Sequence, residues 1–289
     1  MFIMNLIIGS AQIGMRYGLQ KKKIPKKHIN KIYKLCKNNN IKYVDTANSY
    51  GTSEKIIGQS KLNNLKIITK IVIPINISNK YLRKFIQSNL KKTIKKLNVK
   101  QIDAILIHNP SIFKSNNKEI ILNIFDELKK KKLIKYFGAS VYSPNDVNKL
   151  LKFWKPDIIQ FPLNILDQRF LKNNFIKKLK KEQIILLSRS IFLQGFLLQN
   201  VENYSIIKLK KFKFILQKIE KWCVNNKITR IDACIHFVKN ISYIDYMIVG
   251  FDDFYQLEKI IKSFRSKNIK IPETFKVDNL QLIDPRRWK

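Results

Sequence analysis

Short apolar runs rich in Ile, Val and Leu alternate with longer lysine-studded amphipathic stretches along the whole chain. The eight runs are NLIIGS, IKYVD, LKIITK, IDAILIH, IKYFGAS, DIIQF, IILLS and YMIVG. Between the third and fourth runs, apolar residues at 82, 85, 86, 90, 94 and 97 follow helical spacing. Strands that alternate with helices pair in parallel through right-handed crossovers. The pattern therefore predicts an α/β protein of eight strand–helix units.

Eight such units without a Gly/Ser-rich linker predict a closed (β/α)8 TIM barrel, and we expect residues 1–289 to form a single barrel domain. A doubly wound sheet is the alternative, but no G-x-G-x-x-G motif follows the first run. Two stretches interrupt the alternation: a long loop after the seventh strand (189–207) and a C-terminal tail (267–289) ending in IDPRRWK. Loops of this length are often functional.

The formal net charge of +37 raises the question of a nucleic-acid partner. Only eight of the 57 basic residues are arginines, and the lysines occur in short runs on nearly every predicted helix. Nucleic-acid surfaces usually cluster both residue types on one face and use arginine for bidentate contacts. The composition therefore favours a solvated lysine-rich surface, with weak adhesion to anionic polymers at low salt and no specific nucleic-acid partner.

The three cysteines, Cys36, Cys223 and Cys234, have the spacing of neither a metal site nor a disulfide framework. Isolated thiols in odd number are typical of a reducing compartment. The first residues lack a basic n-region, and no window approaches 18 uncharged apolar residues. We therefore expect a cytoplasmic protein with no membrane span and no metal site.

Four polar residues fall at the carboxyl ends of consecutive predicted strands, where barrels hold their active sites. Asp45 ends the second strand, Lys70 the third and His108 the fourth, while Tyr50 lies on the loop after the second. Adjacent strands lie about 4.8 Å apart, so these side chains should converge. Each also has an ordinary structural role, as turn cap, solvated lysine, rim histidine or packed aromatic. Their joint placement favours chemistry.

The four groups suit protonation of a carbonyl oxygen while a hydride reaches its carbon. A buried Lys70 needs a counter-charge, which Asp45 can supply. The adjacent ammonium should lower the pKa of the Tyr50 phenol, ordinarily about 10. His108 can hydrogen-bond the substrate oxygen, which leaves Tyr50 as the candidate general acid.

The segments DTANSYG, ITK and LIHNP resemble the three signature segments of the aldo-keto reductase superfamily, in order and at about its separations. GASVYSP, IIQFPLNILDQR and MIVGFDDFYQLEKI resemble its later cofactor segments, so the resemblance covers nearly the whole chain. It implies an oxidoreductase that uses NAD(P)H to reduce an aldehyde or ketone to an alcohol. By this resemblance Tyr50 is the general acid, assisted by Lys70, Asp45 and His108. The DPRRW ending is similar to bacterial members linked to sugar and polysaccharide metabolism, which suggests a sugar-like carbonyl.

The same resemblance implies a nicotinamide cofactor, NADPH or NADH, lying across the rim. Ser140 and Gln160 match positions that hold the nicotinamide carboxamide. Arg189 stands where many members place an aromatic that stacks on the nicotinamide, and a guanidinium plane can also stack or reach a phosphate. The remaining implied cofactor residues are Leu193, Gly195, Gly250, Asp252, Asp253, Gln256 and Glu258.

Asp252 and Asp253 occupy the turn where members that prefer the 2′-phosphorylated cofactor usually carry Arg or Lys. A carboxylate repels a 2′-phosphate and can accept a hydrogen bond from a free 2′-hydroxyl, so we expect a preference for NADH. Asp253 and Gln256 also have the spacing of a helix-capping pair. Val141 and Ile260 replace asparagines that are frequent in the superfamily.

The substrate pocket should be lined by the GMRYG loop after the first strand, by residues 109–113, by Phe192 and by the tail. Three of the scarce arginines, Arg16, Arg286 and Arg287, either bind an anionic group of the substrate or fasten the tail to the barrel.

Two other functions remain open. A barrel lyase or aldolase would use Lys70 as a Schiff-base nucleophile. A low-turnover sensor would bind NAD(P)H without rapid chemistry, which the departures at Val141 and Arg189 suggest.

Overall fold

The computed structural model describes residues 4–114, 117–200 and 207–288. Within them, eight parallel strands follow one another around a closed barrel, and the first pairs with the last. Each predicted apolar run contains one strand, so the predicted barrel is confirmed. The strands are β1 (Asn5–Gly9), β2 (Tyr43–Asp45), β3 (Lys66–Ile71), β4 (Ile102–Ile107), β5 (Ile134–Ser140), β6 (Ile158–Pro162), β7 (Ile185–Arg189) and β8 (Tyr246–Val249).

Helices surround the barrel, and the helix predicted from residues 82–97 is the long one after β3. Its inward stripe of Leu82, Ile86, Leu90 and Leu97 is buried, as the helical spacing requires. The α-helices in the described residues are α1 (Ala11–Gly14), α2 (Ile29–Asn38), α3 (Ser53–Gly58), α4 (Asn79–Leu97), α5 (Lys118–Lys130), α6 (Pro144–Leu151), α7 (Phe175–Lys181), α8 (Lys213–Asn225), α9 (Arg230–Lys239), α10 (Phe254–Arg265) and α11 (Leu280–Ile283).

The barrel strands are buried on both faces, because side chains alternate between the barrel interior and the surrounding helices. On β1, Ile7 belongs to the interior cluster, whereas Leu6 and Ile8 pack towards the helices. The interior cluster closes the barrel beneath its rim, which makes it a packed core rather than a pore. Its buried members are Ile7, Ile68, Ala104, Leu106, Ile158, Leu187 and Ile248.

The two predicted irregular stretches meet at one side of the barrel mouth. After β7 the chain forms a 3-10 segment, Leu193–Leu198, and residues 201–206 of the predicted loop lie outside the described residues. In the tail, Trp288 packs on Phe196 of that segment, with ring centroids 6.2 Å apart. The Trp288 indole also donates to the Leu282 carbonyl at 3.0 Å, which anchors the chain end.

None of the helices in the described residues combines the length and apolarity needed to cross a bilayer. No group of three or more His, Cys, Asp or Glu side chains among these residues could hold a metal ion. The thiols of Cys36, Cys223 and Cys234 are free and buried, and burial raises the pKa of Cys36 to about 12. Such thiols are unreactive.

Candidate active site

Lys70 and Asp45 form a buried ion pair at the rim of the barrel. Lys70 Nζ donates to both Asp45 carboxylate oxygens, at 2.7 and 2.6 Å, and to the Thr46 carbonyl at 2.9 Å. These three acceptors use all three protons of the ammonium. Burial lowers the pKa of Lys70, and the Asp45 carboxylate opposes that change. The predicted counter-charge is therefore in place.

Tyr50 and His108 lie beside this pair. Lys70 Nζ is 5.1 Å from the centroid of the Tyr50 ring. The Tyr50 and His108 rings meet edge to face, with centroids 6.0 Å apart and planes at 80°. All four predicted catalytic side chains thus converge, and both Tyr50 and His108 face the same cavity as Asp45.

Close backbone packing fixes the loop that carries Tyr50. A Cβ on Gly14 of α1 would overlap the Tyr50 carbonyl oxygen and the Ser53 amide, so this position requires glycine. Gly51 adopts φ 56°, in the left-handed region, and turns the chain directly after Tyr50. The Thr52 hydroxyl then donates to the Gly14 carbonyl at 3.0 Å. Tyr50 is therefore held on a rigid support.

The ionisation of Tyr50 differs from the sequence expectation. Burial raises the pKa of the Tyr50 phenol, the Asp45 carboxylate raises it further, and Arg189 opposes both. The expected lowering by Lys70 is wrong, because Asp45 neutralises that ammonium at contact distance. Tyr50 therefore keeps its proton at neutral pH, as a general acid must.

His108 is held in its neutral form. Burial, with the positive charges of Lys70 and Arg189, lowers the pKa of His108 to about 3. Its Nδ1 lies 3.3 Å from the Ser49 hydroxyl. A neutral imidazole can donate one hydrogen bond into the cavity without bringing a charge.

Ser140 and Gln160 extend the ion pair into a chain of hydrogen bonds across the rim. The Ser140 hydroxyl donates to the Gln160 side-chain carbonyl at 3.2 Å, and Gln160 Nε2 donates to Asp45 Oδ1 at 2.8 Å. Ser140 at the end of β5 and Gln160 in the middle of β6 are thereby connected to Lys70 on β3. Sequence reasoning did not predict the contact between Gln160 and Asp45.

A cavity of about 400 Å³ opens at this rim. It is lined by ten of the predicted site residues: Asp45, Tyr50, His108, Ser140, Gln160, Arg189, Gly195, Gly250, Asp252 and Gln256.

Four predicted site residues do not line this cavity. Lys70 lies behind Asp45, and Leu193 is fully buried beneath the loop. Glu258 is exposed on α10, and Asp253 caps the start of that helix. Lys70 and Leu193 are therefore buried, Asp253 caps a helix and Glu258 is on the surface.

The turn after β8 has the predicted capping geometry. Asp253 Oδ1 accepts from the Gln256 amide at 2.8 Å, and the Gln256 side chain accepts from the Asp252 amide at 2.6 Å. Asp252 itself accepts a hydrogen bond from Gln12 at 3.3 Å. An adjoining cavity of about 410 Å³ shares Leu198 and Gln256 with the first, which extends the groove past this turn.

A third cavity, of about 390 Å³, lies on the other side of His108 and Tyr142. Asn109, Ser111 and Phe113 of the predicted substrate segment line it together with Arg286 of the tail. Phe192 lines the first cavity instead, and Arg16 and Arg287 are exposed.

Tyr17 of the predicted GMRYG loop lines the first cavity, whereas the wall residues Gln12 and Tyr142 were not predicted. Tyr142 lies two residues after Ser140, in the segment GASVYSP. An aromatic residue in a loop at the rim was the sequence signal that could have identified it. Its ring contacts two arginines, with the guanidinium carbons of Arg189 and Arg286 at 4.7 and 3.7 Å from the centroid.

A model of the Aldo/keto reductase family matches residues 5–281 of the sequence. The chain belongs to the aldo/keto reductase family. The resemblance read from the signature segments is thereby confirmed over nearly the whole chain.

This aldo/keto reductase chain is similar to a curated relative and to two solved structures. The uncharacterized oxidoreductase YqkF of Bacillus subtilis (strain 168) is 23% identical over 194 residues, which cover 63% of this chain and 61% of that protein. The match thus spans less than two thirds of that curated relative. The glycerol dehydrogenase AKR11B4 of Gluconobacter oxydans has a TM-score of 0.72 at 18% identity, covering 92% of this chain and 87% of that one. For the aldo-keto reductase AKR11C1 of Bacillus halodurans (holo form) the TM-score is 0.71 at 17% identity, with 92% and 88% covered. Both structures share the barrel fold.

Proposed function

We propose that this chain is an NAD(P)H-dependent carbonyl reductase in which Tyr50 protonates the carbonyl oxygen of an aldehyde or ketone. The observation that carries the proposal is the pairing of a protonated Tyr50 with a neutral His108 in one cavity, above a buried Lys70–Asp45 ion pair. A protonated phenol and a neutral imidazole can both donate to one substrate oxygen.

The surrounding charges assist the proton transfer. When Tyr50 gives up its proton, negative charge develops on the phenolate oxygen. Arg189 lowers the pKa of Tyr50, which means that its positive charge favours this phenolate. Lys70, 5.1 Å from the ring centroid, is held in position by Asp45 and the Thr46 carbonyl. Preorganised charges of this kind stabilise developing charge without reorganisation.

The cavity has the features that a nicotinamide dinucleotide needs. The groove runs from Tyr50 to Gly250 and Asp252 near the start of α10 and continues into the adjoining cavity, which suits an elongated ligand. At the Tyr50 end, Ser140 and Gln160 offer hydroxyl and amide groups that suit a carboxamide. When bound, the reduced nicotinamide supplies the hydride.

We also propose that the chain prefers NADH over NADPH, and we assign this preference to Asp252. Its carboxylate lines the groove and can accept from a ribose hydroxyl, whereas it would repel a 2′-phosphate. Two cations compete with it: Lys22, which lines the first cavity and acts electrostatically on Asp252, and Lys259, which lines the adjoining cavity. Cofactor KM values for wild type, Asp252→Asn and Lys259→Gln test the assignment. In wild type we expect a lower KM for NADH than for NADPH. This difference should shrink in Asp252→Asn and change little in Lys259→Gln. A strong NADPH preference that depends on Lys259 would overturn it.

The geometry opposes a Schiff-base role for Lys70. Its ammonium is buried and bonded to three acceptors, and the side chain does not line the cavity. Borohydride treatment with substrate should therefore leave Lys70 unmodified. A low-turnover sensor is distinguished by steady-state rates, since NADH binding without carbonyl-dependent oxidation would support it.

The decisive experiment is NADH and NADPH oxidation with a panel of aldehydes, ketones and keto-sugars, in wild type and Tyr50→Phe. Loss of the general acid should lower kcat by a factor of roughly 10² to 10⁴ with cofactor affinity nearly unchanged. Tyr17→Phe is the matched control, because it removes a second cavity phenol whose ring lies 6.4 Å from that of Tyr50. We expect it to cost less than about tenfold, since the phenol it removes is not the one assigned to protonate the carbonyl oxygen. Equal losses in the two variants would remove Tyr50 from its role.

A further inference from the structure

Within the described residues, the cavity contains one partly buried positive charge without an ion-pair partner, since its other lysine, Lys22, is exposed. Its charged lining residues, within the described parts of the chain, are Lys22, Asp45, Arg189 and Asp252. Asp45 is neutralised by Lys70 at 2.6 Å, and Lys22 acts electrostatically on Asp252. No carboxylate of the described residues lies within ion-pair distance of Arg189, which is only partly exposed.

Arg189 is nevertheless held in a defined position. From the end of β7, its guanidinium reaches across β6 and donates to the Val141 carbonyl, the residue after β5, at 3.0 Å. A second N–H donates to the Ser190 hydroxyl at 3.1 Å, and the guanidinium carbon lies 4.7 Å from the centroid of the Tyr142 ring. A guanidinium has five N–H donors, so three are left for a ligand.

The unpaired charge lies at the catalytic end of the groove. Arg189 lines the same cavity as Tyr50 and His108, and Tyr142, which it contacts, lies with His108 at the border of the third cavity. Its charge also lowers the pKa of both Tyr50 and His108. Asp252 and Gly250, by contrast, mark the opposite end, near the start of α10.

We propose that Arg189 binds a carboxylate of the substrate, so that the preferred substrates are carbonyl compounds with a carboxylate close to the reacting carbon. This inference rests on the proposed reductase function. A partly buried guanidinium with free donors gains most from an anion, and its planar fork matches the two oxygens of a carboxylate. The cofactor pyrophosphate is the other anion that could reach it, and the closing experiment distinguishes the two.

Arg286 does not fill the same role, although it contacts the same Tyr142 ring. Its guanidinium is paired with the Asp284 carboxylate through two hydrogen bonds, at 2.8 and 2.6 Å. It lines the third cavity rather than the first, and 55% of its side chain is exposed. A charge that is already neutralised and solvated adds little to anion binding.

The test compares substrates that differ only in charge. Reduction of pyruvate and methyl pyruvate, and of a uronic acid and its methyl ester, is measured in wild type, Arg189→Gln, Arg189→Lys and Arg83→Gln. Arg83 is an exposed surface arginine of α4, so its variant controls for the loss of one positive charge. NADH dissociation constants are measured for each variant by fluorescence.

Wild type should prefer at least one acid over its ester in kcat/KM. Arg189→Gln should lower kcat/KM for that acid roughly 10- to 100-fold more than for its ester, the scale of a charge-assisted hydrogen bond. The loss that acid and ester share measures the support that Arg189 gives to the Tyr50 phenolate. Arg189→Lys should retain part of the preference for the acid, and Arg83→Gln should retain all of it. The affinity for NADH should be the same in every variant.

Three outcomes would overturn the inference: no acid preference in wild type, equal losses for acid and ester, or weaker NADH binding in Arg189→Gln at an unchanged acid-to-ester ratio. The last result would assign Arg189 to the cofactor pyrophosphate. If no carbonyl supports NAD(P)H oxidation, the reductase proposal fails by itself. The carboxylate proposal can then still be tested by calorimetry, with oxamate, an unreactive carboxylate analogue, binding to the NADH-loaded protein. Arg189→Gln must weaken the affinity for oxamate at least about tenfold.

Discussion

His108 connects the chemistry of the site to the stability of the fold. Its pKa falls to about 3 in the folded state from an ordinary value of 6.5. Between these values the unfolded chain binds a proton at this position and the folded chain does not. Acidification therefore favours unfolding through His108, and the stability that its neutral form provides is fully present only above pH 6.5.

We expect His108→Gln to flatten the dependence of stability on pH in this window. In wild type, this residue should remove up to about 1.4 kcal/mol of unfolding free energy per pH unit as the pH falls from about 6.5 towards 3. Urea unfolding at a series of pH values measures the slope, with His28→Gln as a histidine removed outside the cavity. Parallel curves for wild type and His108→Gln would contradict the prediction.

Single residues also mark the limit of reasoning from sequence. Asp45, Lys70 and His108 could be predicted to converge, because parallel strands in a barrel bring their carboxyl ends together. The raised pKa of Tyr50 could not, since its largest cause is burial of the phenol, followed by the charge of Asp45. The contact of Tyr142 with Arg189 joins two loops that are distant in sequence, and no local pattern encodes it.

At the scale of elements, the start of α10 contains one carboxylate that caps the helix and one that lines the first cavity. Asp253 Oδ1 accepts from the Gln256 amide at 2.8 Å and lines the adjoining cavity, whereas Asp252 lines the first. Asp253→Ala should lose the cap and about 1 kcal/mol of stability, while Asp253→Ser should keep most of it. Denaturant midpoints check this. Equal stabilities for the Ala and Ser variants would exclude the capping role.

The strands and the long helices followed from hydrophobic periodicity, but the short elements did not. Each of the eight apolar runs became a strand, and four of the six residues of the predicted α4 stripe are buried, with Phe85 and Ile94 partly buried. α1 has only four residues, too few for a periodic signal, and it exists because Gly14 allows direct contact with the Tyr50 loop. Packing between distant segments likewise determines the 3-10 segment Leu193–Leu198, which lies against Trp288.

At the scale of the whole molecule, charge is the dominant imbalance. The chain has 57 basic and 20 acidic residues, so most lysines have no acidic partner. The Lys70–Asp45 pair is buried and shielded from salt, whereas pairs such as Lys155–Glu182 are more than half exposed. Exposed pairs contribute little, and a large net charge destabilises the compact state through self-repulsion. Salt should therefore stabilise this protein.

We expect the thermal unfolding midpoint to rise between roughly 10 mM and 0.2 M NaCl, because the Debye length falls from about 30 Å to under 10 Å over this range. At the lower concentration each surface lysine interacts with many others, and at the higher one mainly with its nearest neighbours. Differential scanning calorimetry at constant pH measures the shift, and an uncharged osmolyte at equal osmolality controls for effects other than screening. If the midpoint fell as NaCl was added, attraction between specific surface charges would outweigh the repulsion that the composition implies, and the lysines would have to be organised rather than dispersed.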